Sequence, residues 1–83
     1  MVKVRFFAVL KKVVGRDGID VDLHQQKLTL GQLLGQIERE LPKVRDILKE
    51  GKVLISINQE MARETDLVQD GDEVALLPPF AGG

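Results

Sequence analysis

Cysteine is absent from the 83 residues, and histidine occurs once, at His24. The chain therefore forms no disulfide, offers no side-chain thiolate and assembles no sulfur-ligated metal centre. A lone imidazole on the outward side of an alternating segment reads as a surface residue. Charge of one sign is also missing: twelve Lys and Arg stand against thirteen Asp and Glu, a net charge of -1. This excludes the strongly basic face that nucleic acids and anionic membranes select, and neither is expected as a partner. No apolar run approaches a membrane span, and Met1-Val2-Lys3-Val4-Arg5 alternates like a strand instead of opening a signal peptide, so a cytoplasmic location is expected. Asp70, Asp72 and Glu73 lack calcium-loop spacing, and Gly15-Arg16-Asp17-Gly18 and Gly31 with Gly35 match no phosphate loop. No metal and no bound cofactor are assigned. Lys11 and Lys12 make too small a basic cluster for nucleic acid, and Lys43, Arg45, Lys49 and Lys52 read as a solvated face.

What is present is the composition of a folded domain, 43% apolar and 30% charged, too short for separate substrate and cofactor lobes. Val2, Val4 and Phe6 alternate with Lys3, Arg5 and Phe7, which predicts a strand over residues 2–7. Residues 8–14 pair apolar positions three to four apart and stop at Gly15, as a short helix does. Ile19, Val21 and Leu23 then alternate inward as a second strand. Thr29 and Gln32 have capping-box spacing, and Leu30, Leu33, Leu34, Ile37 and Leu41 form one helical face that ends at Pro42. Val44, Ile47 and Leu48 predict another short helix closed by Gly51, followed by a strand through Val53, Ile55 and Ile57. Residues 59–64 hold at most a very short edge strand, and Asp70-Gly71-Asp72 is a turn before a last strand over 73–77. This order predicts an α+β fold of the ubiquitin-like β-grasp type, a mixed sheet with one main helix packed on one face.

The unusual segment is the end, Leu77-Pro78-Pro79-Phe80-Ala81-Gly82-Gly83. Pro78 and Pro79 cannot donate to a β-ladder and bias the preceding residues toward extended backbone, so the strand stops at Leu77 and a stiff arm leaves it. We divide the chain into a body, 1–77, and a tail, 78–83, of one domain. At roughly 3.1–3.5 Å per residue the tail reaches about 20 Å. Gly82 and Gly83 lack Cβ atoms and suit a narrow channel. The remaining reactive group is the Gly83 carboxylate, which at its ordinary pKa of about 3.3–3.7 is ionised and a weak electrophile. ATP would convert it to an acyl-adenylate, and a sulfur nucleophile displacing AMP would leave a thiocarboxylate, a way for a cysteine-free chain to carry sulfur.

Phe6-Phe7-Ala8, Asp70-Gly71-Asp72-Glu73-Val74-Ala75 and Pro78-Pro79-Phe80-Ala81-Gly82-Gly83 together resemble the small, sulfur-carrying subunits of molybdopterin synthases, in the ThiS/MoaD family. The resemblance spans nearly the whole chain, and Phe80 stands where members often carry a smaller aliphatic residue. It implies a non-catalytic sulfur-donor subunit of an enzyme complex. A ubiquitin-activating-type enzyme using ATP and Mg would adenylate Gly83, and a persulfide sulfur donor would complete the thiocarboxylate. A large synthase subunit would receive the tail in a heterotetramer of two large and two small subunits, and the sulfur would pass to a pyranopterin precursor of the molybdenum cofactor. A diglycine end is shared with ubiquitin-like modifiers and with the thiamine-pathway sulfur carrier, and these remain the alternatives.

Partner-binding candidates follow from the alternation. Phe7 lies on the face of Lys3 and Arg5, an aromatic ring where polar residues are expected. In the fold that the resemblance implies, the first and last strands are parallel neighbours, which sets Phe7 beside Leu77 at the root of the tail. Met61 is a flexible apolar side chain in a polar stretch. The three are expected to form an apolar patch beside the tail residues Pro78, Pro79, Phe80, Ala81 and Gly82. The competing readings are that Phe7 caps a cluster under the first helix and that Met61 fills a gap in the core.

Overall fold

Alternation in the first residues becomes strand β1 (Val2–Phe6) in the computed structural model, which describes residues 1–51 and 53–78: Val2, Val4 and Phe6 are buried, Lys3 and Arg5 exposed. The strand is one residue shorter than its pattern predicts because Ala8 turns the chain at φ 54° into helix α1 (Val9–Val14). Phe7 keeps a single ladder bond, its N–H donating to the Leu76 carbonyl at 3.2 Å. Gly15 ends α1 at φ 87°, where its N–H reaches the Lys11 carbonyl at 2.9 Å and a left-handed residue without Cβ is needed.

Strand β2 (Gly18–Val21) returns antiparallel to β1, with Val2 opposite Val21 and Arg5 opposite Gly18. A Cβ on Gly18 would lie 2.3 Å from the Val4 carbonyl oxygen, so only glycine permits this approach of the two backbones. The strand ends at Val21, two residues before its apolar alternation does. Asp22 accepts the His24 N–H at 2.8 Å, and His24 and Gln25 take positive φ, while Leu23 stays buried.

The two-residue strand β3 (Leu28–Thr29) leads into α2 (Leu30–Glu40). The capping box forms as its spacing predicts: Gln32 N–H donates to Thr29 Oγ1 at 3.2 Å, and Thr29 N–H to Gln32 Oε1 at 2.9 Å. Leu30, Leu33, Leu34 and Ile37 are buried against the sheet. Pro42 does more than stop this helix. It opens α3 (Pro42–Lys49), where a missing N–H in the first turn costs nothing, and Val44 on that helix is fully buried.

Four strands follow: β4 (Leu54–Ile57), β5 (Glu60–Met61), β6 (Leu67–Val68) and β7 (Glu73–Leu77). The main sheet has the order β2-β1-β7-β4-β5. Its central pair, β1 and β7, is parallel, and the other pairs are antiparallel. This is the mixed β-grasp sheet expected from the sequence. A separate ribbon of β3 and β6 was not foreseen, since two-residue strands show no periodicity. One face of the sheet, carrying Val2, Val4, Phe6, Val74 and Leu76, meets α2 and Val44 of α3 to make the core. Among the described residues no helix packs on the opposite face, which carries the exposed side chains of Phe7, Leu54 and Met61.

Candidate functional site

The uncovered face is organised by register. Phe6 pairs with Leu76 and Leu54 with Leu77, so the row nearest the tail reads Phe7, just past the end of β1, then Leu77 of β7 and Leu54 of β4. The next row is Arg5, Ala75, Ser56 and Met61. Phe7, Leu77 and Met61 therefore share one face, as the alternation and strand order require. Met61 is 63% exposed, which removes the core-filling reading, and Leu77 is half-buried. Phe7 is 36% exposed, and the Arg5 guanidinium carbon lies 5.4 Å from its ring centroid. That cation–π contact holds the ring on the open face. Arg5 also lies 3.7 Å from the Glu73 carboxylate, an exposed pair that screens readily.

Leu54, 40% exposed, was not singled out from the sequence. Its signal was present: it alternates outward from Val53 and Ile55 as Phe7 does from Phe6. Leu54 and Met61 continue the patch around the sheet edge into a hollow that Leu34, Leu48 and Ile55 also line. Leu77 is the last residue of β7 and Pro78 follows it outside the strand, so the tail leaves from the edge of this apolar row. Pro79, Phe80, Ala81, Gly82 and Gly83, assigned as tail residues and acceptor end, lie outside the described residues.

A family model for the ThiS family matches residues 4–83. The chain belongs to the ThiS family. Among relatives of this ThiS-family chain, the molybdopterin synthase sulfur carrier subunit of Escherichia coli K12 is 34% identical over 83 residues, covering 100% of both chains. That of Dictyostelium discoideum is 32% identical, covering 98% of this chain and 94% of its own. Among solved structures, SAMP1 from Haloferax volcanii superposes with a TM-score of 0.84 at 27% identity, over 99% of this chain and 98% of its own. A chain from the complex of subunits 1 and 2 of molybdopterin-converting factor from Helicobacter pylori superposes at 0.69 and 26% identity, over 99% of this chain and 97% of its own.

In this ThiS-family body the Asp70–Ala75 motif is architectural. Gly71 takes φ 91°, and Asp72 accepts the Gln69 N–H and the Asn58 side-chain amide, each at 2.9 Å. Asn58 in turn accepts the Glu73 N–H at 3.0 Å, which fastens the β4–β5 turn to the start of β7. The Met1 α-ammonium pairs with Asp70, and that hydrogen bond raises its pKa above the ordinary value. His24 is exposed beside Asp22, away from the patch. Among the described residues there is no group of three or more acidic or histidine side chains placed to hold a metal, and no helix long and apolar enough to cross a membrane.

Proposed function

We propose that this chain is the sulfur-carrier subunit of a molybdopterin synthase, with the Gly83 carboxylate as the carrying group. The observation that supports it most is the match over the full length of both chains to a molybdopterin synthase sulfur carrier subunit. An ATP- and Mg-dependent enzyme of the ubiquitin-activating type adenylates Gly83 with release of pyrophosphate. The terminal sulfur of a persulfide donor then displaces AMP to give an acyl disulfide, and a thiol supplied as reductant cleaves its S–S bond, leaving the thiocarboxylate on Gly83 and a disulfide on the donor side. The large subunit receives Pro78–Gly83 in a channel, where the sulfur attacks the pyranopterin precursor and water cleaves the resulting thioester, returning the Gly83 carboxylate and leaving the sulfur on the precursor. A dithiolene takes two sulfurs, so two charged carriers serve each product, in keeping with two small subunits per assembly. Acid–base and substrate-anchoring groups come from the large subunit. The reading sets the chain in the cytoplasm with its ATP-consuming partner.

The body serves as the handle. Phe7, Leu77, Leu54 and Met61 give either partner an apolar grip at the root of the tail, so docking the body also aims the arm. The likeness to a complex of the two subunits of a molybdopterin-converting factor supports the large-subunit partner. One specific observation favours a second reading, a protein modifier joined through Gly83 to lysines: the likeness to SAMP1, which is described as a small archaeal modifier protein.

The test is intact-mass measurement after incubation with ATP, the activating enzyme and a sulfur donor. Exchange of one oxygen for sulfur at the C-terminus is expected, and the charged protein with the large subunit should then convert the precursor. Amide conjugates without the exchange would favour the modifier. An unchanged mass with an activating enzyme proven on another carrier would remove both.

A further inference from the structure

Register also sorts the charges on the open face. Lys3 stands between two carboxylates, opposite Asp20 on β2 and Glu73 on β7. Arg5, one row nearer the tail, stands between Gly18 and Ala75, whose side chains offer it no acceptor. Among the described residues the one carboxylate within 4 Å of its guanidinium is that of Glu73, on the diagonal, and at 3.7 Å it is too far to accept a hydrogen bond. The Arg5 side chain is 53% exposed, and its guanidinium lies over the Phe7 ring. A surface that covers Phe7 therefore covers Arg5 as well.

We propose that Arg5 selects the partner by charge: the large subunit, in covering Phe7, presents an Asp or Glu carboxylate to the Arg5 guanidinium. The inference rests on the reading of the open-face patch as the surface that docks on that subunit. A guanidinium in a protein keeps its proton, so it cannot shed its charge when water leaves. Covered without a new acceptor it becomes a desolvated, unpaired cation, which opposes docking. Glu73 does not meet that need, since it sits on the row away from the tail and opposite Lys3. The planar fork has donors for Glu73 and for a second carboxylate together, and the second fits it through two parallel hydrogen bonds. An apolar side chain here would widen the grip of the patch. Arg5 exchanges part of that grip for selection, because a partner with a bare apolar or a cationic face is turned away.

The test is titration calorimetry of the large subunit against the parent chain, Arg5→Lys, Arg5→Leu and Arg5→Glu, beside a thermal melt of each. With a carboxylate opposite, Arg5→Leu leaves it unpaired and should bind about 30-fold more weakly, Arg5→Lys should recover most of that loss, and Arg5→Glu should bind weakest. One Asp or Glu of the large subunit changed to Lys should then restore binding of Arg5→Glu. With no carboxylate opposite, Arg5→Leu extends the apolar patch and binds as tightly as the parent or tighter, and that result would overturn the proposal. So would an Arg5→Glu chain that no carboxylate-to-lysine change rescues. Failure of the large subunit to bind the parent chain is a different result, and it would remove the proposed function together with this inference.

Discussion

Leu54→Ala separates what the open-face patch contributes to folding from what it contributes to docking. The substitution removes three carbons, worth about 2.4 kcal/mol at about 0.8 kcal/mol per buried CH2 group. Leu54 is 40% exposed in the isolated chain, so the share still open to a partner is about 1 kcal/mol, on the scale of that per-carbon value. Loss of that share weakens binding of the large subunit about fivefold, since 1.4 kcal/mol corresponds to tenfold. The share already buried, about 1.4 kcal/mol, appears as lost stability and lowers Tm by roughly 6–11 °C in a domain of this size. Titration calorimetry with the large subunit at 25 °C, beside a thermal melt of each protein, measures both halves. A Tm that falls as expected while Kd stays within a factor of about two of the parent would refute the patch as a docking surface. Phe7→Ala, with a similar exposed fraction, should behave in the same way at the other end of the row.

Gly18→Ala should be among the most damaging single-methyl changes, because the added carbon meets the Val4 carbonyl at 2.3 Å; a loss above about 2 kcal/mol in denaturant unfolding is expected, and a neutral result would contradict the close β1–β2 approach. Ala8→Gly should act in the opposite sense, raising Tm by relieving about 1 kcal/mol of strain at φ 54°. Thr29→Ala removes the acceptor of the capping box and should cost about 1 kcal/mol, with Thr29→Ser recovering most of it. The paired Met1 amine has a raised pKa, so its contribution is complete below the ordinary amino-terminal value near 8 and is lost as pH climbs through the raised one. The Tm difference between the parent and Asp70→Asn should therefore narrow between pH 7 and alkaline pH, and a constant gap would show that the pairing does not set it.

The sequence was most readable where one residue type had one job. Alternation located β1 and β7, and Thr29 with Gln32 located the start of α2, because side-chain period and cap chemistry are local properties. The β3–β6 ribbon was hidden because its pairing joins Leu28–Thr29 to Leu67–Val68 across the intervening chain. Leu23 misled in a different way: its inward alternation continued past the strand because the Asp22 turn kept it in the core after the ladder had ended. For the site, Phe7 stood out as an aromatic among charges. Leu54 alternated outward from Val53 and Ile55 in the same way but, as an aliphatic residue beside other aliphatics, did not stand out until the β4–β7 register set it opposite Leu77.

The parallel pairing of β1 and β7 at the centre of the sheet has a mechanical consequence. A pull on the tail is transmitted along β7, whose hydrogen bonds to β1 run sideways to that pull and are loaded together in shear instead of being unzipped one at a time. β4 grips the same strand from its other side. A force applied at Pro78 would thus be shared across the centre of the sheet without peeling it open.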